Sequence, residues 1–113
     1  MSKEFEAYIE SGRKVMEQLD NYIEVAKKVK KVVEDFWSNA KVYVFGSVLE
    51  DKHTAISDID ILIVTDNINQ EDAYKVKAII HRTIDAPVEL HVTSTYEFNH
   101  WYKRFLNEIE EIP

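Results

Sequence analysis

Lys41-Val42-Tyr43-Val44-Phe45-Gly46-Ser47, then nine residues, then Ser57-Asp58-Ile59-Asp60-Ile61-Leu62-Ile63-Val64 is the stretch on which the fold turns. Residues 41–45 are β-branched and aromatic and stop at glycine, which predicts a strand feeding directly into a turn. Residues 48–57 carry polar and charged positions without a period and read as a loop. Residues 58–64 predict a second strand, with its far end unusually apolar. Side chains alternate along a strand, so Asp58 and Asp60 share one face, with Cα atoms roughly 6–7 Å apart. Ile59, Ile61 and Ile63 point the other way and supply core.

Working outward, apolar residues recur at helical spacing from Phe5 to Trp37. Gly12 interrupts the pattern, and Asp20-Asn21 offers N-cap chemistry for a new start, so two helices meeting near residue 20 are expected. Toward the C-terminus, Glu71 to Ile84 is amphipathic, and Pro87 opens a third strand, Val88 to Thr93. Ser94 or Thr95 then caps a last helix carrying Phe98, Trp101, Tyr102, Phe105 and Ile109 on one face. That stripe is expected to be core; if partly exposed, it would suit a homodimer or a partner protein. The order helix, helix, strand, strand, helix, strand, helix predicts an α/β protein with a single sheet.

With 113 residues, the chain is expected to form a single domain over 1–113. Charges interrupt every apolar run before the ~20 residues of a membrane span, and the start lacks the apolar region of a signal peptide. The absence of cysteine removes disulfides and thiolate metal sites, and a cytoplasmic setting is the expectation. A net charge of −7 argues against broad nucleic-acid binding. The lysines between Lys27 and Lys31 read as the solvated face of a helix.

The acidic positions carry the chemistry. In the third strand Val88, Leu90 and Val92 form the apolar set, leaving Glu89, His91 and Thr93 on the other face. If that strand neighbours the second one, Asp58, Asp60 and Glu89 share the open face. Three converging carboxylates repel one another unless a cation lies between them, and hard oxygen donors suit Mg²⁺ or Mn²⁺. An isolated Asp-x-Asp more often only solvates a sheet face. Gly46 and Ser47 shift that balance, because a glycine at a strand end permits close backbone approach, and a serine hydroxyl with turn amides can bind phosphate. His53, His81, His91 and His100 are too dispersed for a zinc signature. His91 is expected as a spectator at the edge of the site, with orientation of the acceptor or a carboxylate as its alternative role.

Gly46-Ser47, nine residues, and Ser57-Asp58-Ile59-Asp60 with apolar residues following resemble the signature of DNA-polymerase-β-like nucleotidyltransferases. The short chain and its run from His100 to Phe105 are similar to the minimal nucleotidyltransferases (MNT-type) of archaea and bacteria, over a motif-bearing core of about residues 30–106. The resemblance implies the mixed-sheet fold of that superfamily, flanked by helices. It implies Asp58, Asp60 and Glu89 as metal-binding, catalytic carboxylates, and Gly46 and Ser47 as holders of the phosphates of ATP or another nucleoside triphosphate. It also implies a role as the AMP-transferring antitoxin of a toxin–antitoxin pair, acting on a small helical HEPN-type protein. Many members follow the serine with arginine and carry a glycine a few residues later. Here Val48-Leu49-Glu50-Asp51 occupies that place, with Lys52 and His53 as the nearby cations. That departure favours an alternative class of function, a non-catalytic subunit that neutralises a partner by binding alone.

Overall fold

The structure, a computed structural model, describes residues 3–49, 58–66, 68–105 and 108–113. The loop positions Glu50, Asp51, Lys52, His53 and Ser57 lie outside the described residues.

Two helices open the chain, α1 (Lys3–Asp20) and α2 (Tyr22–Phe36). They meet where the sequence places the break, but Gly12 does not interrupt α1, and the junction is not a side-chain cap. The Asn21 side chain makes no capping bond to α2; its Nδ2 instead donates back to the Glu17 carbonyl at 3.1 Å. The Asn21 backbone N–H donates to the same carbonyl at 3.0 Å, so both nitrogens of Asn21 close the end of α1. Only the C-terminal part of α1 reaches the core, through buried Leu19 with Val15 and Met16 packed against it.

The sheet is mixed. Strand β1 (Lys41–Phe45) pairs antiparallel with β2 (Ile59–Val64), which pairs in parallel with β3 (Val88–Thr93). Helix α3 (Gln70–Thr83) makes the crossover between the two parallel strands, as parallel pairing requires. Its start is capped by Asn69, whose side chain accepts from the Glu71 amide at 2.8 Å. A fourth strand, β4 (Ile109–Glu111), pairs antiparallel with β1 and gives the order β3-β2-β1-β4. The sequence reading had carried the last helix through Ile109. Two of the three residues of β4 are glutamates, so no apolar alternation announces it, and its conformation comes from pairing with β1. It is also tied to α2: Tyr22 Oη donates to Glu110 at 2.7 Å, and Lys30 Nζ to the Ile112 carbonyl at 3.0 Å.

One face of the sheet packs on α2 and α3 and forms the main core. Val42, Val44, Ile59, Ile61, Ile63 and Ile112 are fully buried there with Val29, Val33, Val76 and Ile80 from the helices. At roughly 25 cal/mol per Å² of apolar surface, this layer supplies most of the driving force for folding. Among the described residues, the other face is covered over only part of its length. The chain from Thr95 to Phe105 is helical, with a π-helical turn at Phe98–Tyr102 between short α-helical pieces, α4 (Thr95–Glu97) and α5 (Lys103–Phe105). Phe98 is buried against Leu62 and Val64, and its ring stacks on Tyr43 with centroids 4.7 Å apart. Trp101, expected in the core with it, is 61% exposed instead. The π turn adds a residue to the helical repeat, which displaces a stripe drawn at 3.6-residue spacing.

Candidate active site

The uncovered part of that second face begins at the N-terminal ends of β2 and β3. Residues of β2 at odd positions enter the main core, which sends Asp60 the other way. In register, Asp60 lies opposite Glu89 of β3 on one side and Phe45 of β1 on the other. Asp60 is 24% exposed and Glu89 55%, so one carboxylate sits in the floor and the other at the rim.

The environment of Asp60 disfavours its charged form. Burial first, then the facing Glu89 carboxylate, push its pKa up to about 6, with Asp58 adding to the rise and His91 opposing it. Two carboxylates held together without a cation share a proton before they share two charges.

Gly46 shapes the wall beside Asp60. It adopts a left-handed backbone with φ of 87°, and a Cβ built there would overlap Oδ2 of Asp60. Glycine is required on both counts, by the backbone conformation and by the space the carboxylate occupies. The turn closes with Leu49 N–H donating to the Gly46 carbonyl at 3.1 Å, and it leaves Ser47 half-buried at the edge of the site. Val48 points inward and is buried in the core.

Of the sequence-derived residues, Asp60, Glu89 and Gly46 thus come together at three neighbouring strand ends, with Ser47 following Gly46 in the chain and half-buried. Asp58 stands one residue ahead of β2, exposed, close enough for its charge to act on Asp60. Among the described residues, the metal-ligating atoms of Asp60, Glu89 and His91 lie within 4.8 Å of one another. His91, expected as a spectator, lies closer to the centre than its sequence position suggested. Its place on the same strand face as Glu89 was the available signal.

A facing pair of oxygen donors, one of them a carboxylate whose own charge is disfavoured without a counter-ion, fits a hard divalent cation.

Comparison with known proteins agrees with this geometry. The family model described as a nucleotidyltransferase domain matches residues 26–112. The chain is similar to a candidate nucleotidyltransferase of known crystal structure at 26% identity and a TM-score of 0.61, covering 77% of this chain and 96% of that one. It is also similar to a candidate nucleotidyltransferase from Sulfolobus solfataricus, again at 26% identity, with a TM-score of 0.54 and coverage of 91% and 83%. No curated protein sequence matches it. The mixed four-stranded sheet, the Gly46-Ser47 turn beside Asp60 and the family match over residues 26–112 lead to one conclusion: this chain belongs to the nucleotidyltransferase domain family and is a minimal member of it.

Proposed function

We propose that the protein transfers a nucleotide, AMP from ATP in the first instance, to a hydroxyl group on an acceptor protein. The observation that carries this reading is the direct pairing of Asp60 with Glu89 across β2 and β3, beside the Gly46 turn. Asp60 and Glu89, with Asp58 alongside, would hold Mg²⁺ or Mn²⁺. Bound there, such an ion would neutralise phosphate oxygens and lower the pKa of an attacking hydroxyl.

The chain's own groups then have separable tasks. Gly46 and Ser47 hold the β- and γ-phosphates, using the turn amides and the serine hydroxyl. Glu89, at the rim, accepts the proton of the acceptor hydroxyl as its oxygen bonds to the α-phosphorus and the bond to pyrophosphate breaks. Positioning and charge stabilisation carry most of the rate in phosphoryl transfer, which suits so small a domain.

The acceptor we favour is a small helical HEPN-type toxin, with this chain as its antitoxin. A second reading has its own observation. Val48 is buried at the position where many family members carry arginine, so no cation from that residue reaches the triphosphate. On that reading the protein silences its partner by binding alone.

Incubation with labelled ATP, Mg²⁺ and the HEPN-type partner separates the two. Transfer of label by the wild type, lost on the order of 10³-fold or about 4 kcal/mol in Asp60→Ala, is the expected result. A partner that is bound and silenced yet never labelled would establish the binding-only reading.

A further inference from the structure

His91 lies two residues beyond Glu89 on β3, and its register partner is Leu62, the residue two beyond Asp60. Its Nε2 is 3.8 Å from Oε1 of Glu89 and 3.9 Å from Oδ1 of Asp60. Both separations exceed hydrogen-bond length, so the imidazole does not satisfy either carboxylate directly. They do match the spacing of donor atoms that share an ion, since two ligands each about 2.1 Å from a centre stand ~3–4 Å apart. From the opposite side the ring rests against Phe45, with centroids 5.4 Å apart and planes tilted by 54°. Phe45 directly precedes Gly46, so the turn that clears space beside Asp60 also backs the imidazole. The side chain remains 34% exposed and therefore reachable by an ion from solvent.

We infer that His91 Nε2 is a third ligand of the ion held by Asp60 and Glu89, and that this nitrogen biases the site toward Mn²⁺ over Mg²⁺. Mg²⁺ is a hard, oxygen-seeking ion, whereas imidazole is a good donor to the borderline transition metals. Replacing one oxygen donor by imidazole costs Mg²⁺ more than it costs Mn²⁺, which shifts the balance of a two-carboxylate, one-imidazole set toward Mn²⁺. The inference rests on the reading of Asp60 and Glu89 as metal ligands.

The test uses the purified protein with Mn²⁺ alone, without nucleotide, whose base nitrogens would confuse the signal. Electron spin-echo modulation of bound Mn²⁺ should reveal directly coordinated nitrogen in the wild type, and His91→Gln should abolish it. The same variant should weaken Mn²⁺ about tenfold or more while changing Mg²⁺ affinity by less than about twofold. Labelling the wild-type histidines with ¹⁵N should move the modulation to the ¹⁵N frequency, which tests for a histidine ligand even if the variant folds poorly. Mn²⁺ bound at Asp60, as shown by its loss in Asp60→Ala, but without nitrogen modulation would overturn the His91 assignment and leave the carboxylate site standing. Failure of the wild type to bind either ion would overturn the metal reading itself, and the His91 assignment with it.

Discussion

Two ends of the same sheet face have opposite fates. At one end Asp60, Glu89 and His91 stay within reach of solvent. At the other, Leu62 is fully buried, Val64 is 5% exposed and Thr93 is 1% exposed, all on the same side of the same two strands. Asp60 and Leu62 are one side-chain repeat apart, about 6.6 Å. What separates them is the helical segment after β3, which lies over the far end only. It is pinned there by polar contacts: Asp66 accepts from the amide and hydroxyl of Thr95, both at 2.9 Å, and Ser94 caps Glu97 at 3.1 Å. Those bonds from Thr95 hold the Asp66 carboxyl below its ordinary pKa. The domain thus closes one half of a face with apolar contacts and leaves the other half polar.

The comparison can be broken at the closed end first. Phe98→Ala removes the ring that covers Leu62 and Val64, and should destabilise the protein by about 3–4 kcal/mol in urea unfolding. Mn²⁺ affinity should hold within about twofold, since Phe98 belongs to the cluster away from the carboxylates. An equal loss of ion binding would mean that the two halves are not separable.

At the open end, Gly46→Ala tests the fit of the turn. The new Cβ would meet Asp60 Oδ2 in a backbone conformation that favours glycine, at a cost of about 1–2 kcal/mol from the backbone alone. Ion affinity should fall as well, because the displaced carboxylate is the proposed ligand. A variant with unchanged melting and unchanged affinity would show that the close approach of Gly46 to Asp60 has no role.

The third prediction sharpens the contrast through pH. The folded-state pKa of Asp60 is raised from 3.8 to about 6, so the folded chain holds this proton more tightly than the unfolded one. Stability therefore falls as pH rises from about 4 through 6, and the penalty is fully present above that window. Without metal, Asp60→Asn should melt a few degrees higher than wild type at pH 7.5, roughly 1 kcal/mol, with the advantage fading toward pH 4. Saturating Mn²⁺ should stabilise the wild type more at pH 7.5 than at pH 5, because the ion competes with that proton. Equal melting of the two proteins at every pH without metal would remove the case for a strained carboxylate.

The smallest effect belongs to a position outside both halves. Glu71 and Lys75 form an exposed i, i+4 pair on α3 at 3.3 Å, and Glu71→Gln should change stability by less than about 0.5 kcal/mol. A larger loss would point to the start of α3, where the Glu71 amide is held by Asn69, rather than to the ion pair.

Much of this was legible before any coordinates. β1 and β3 have the bounds that their β-branched runs announce, and Ser94 caps the helical segment as its position suggests. The pairing of Asp60 with Glu89 was legible only on the condition that β2 and β3 are neighbours, which periodicity alone does not establish. β4 was not legible, because Ile109–Glu111 is held by backbone bonds to β1 and carries no side-chain pattern of its own. The exposure of Trp101 was hidden for a related reason: a π turn changes the helical period without a sequence mark that spacing arguments read.

On the strands, then, the sequence by itself determined which residues face which way. Strand alternation is a covalent property of the extended chain, so Asp60 had to leave the core that Ile59, Ile61 and Ile63 enter. The left-handed φ at Gly46 likewise suits the one residue without a Cβ. Only the tertiary structure decided what each face would meet. The parallel pairing that sets Asp60 beside Glu89 and the segment that buries Leu62 but not Asp60 come from long-range packing. So does the approach of His91 to Asp60. Those contacts join residues about thirty positions apart, and no local preference of the chain encodes their distance.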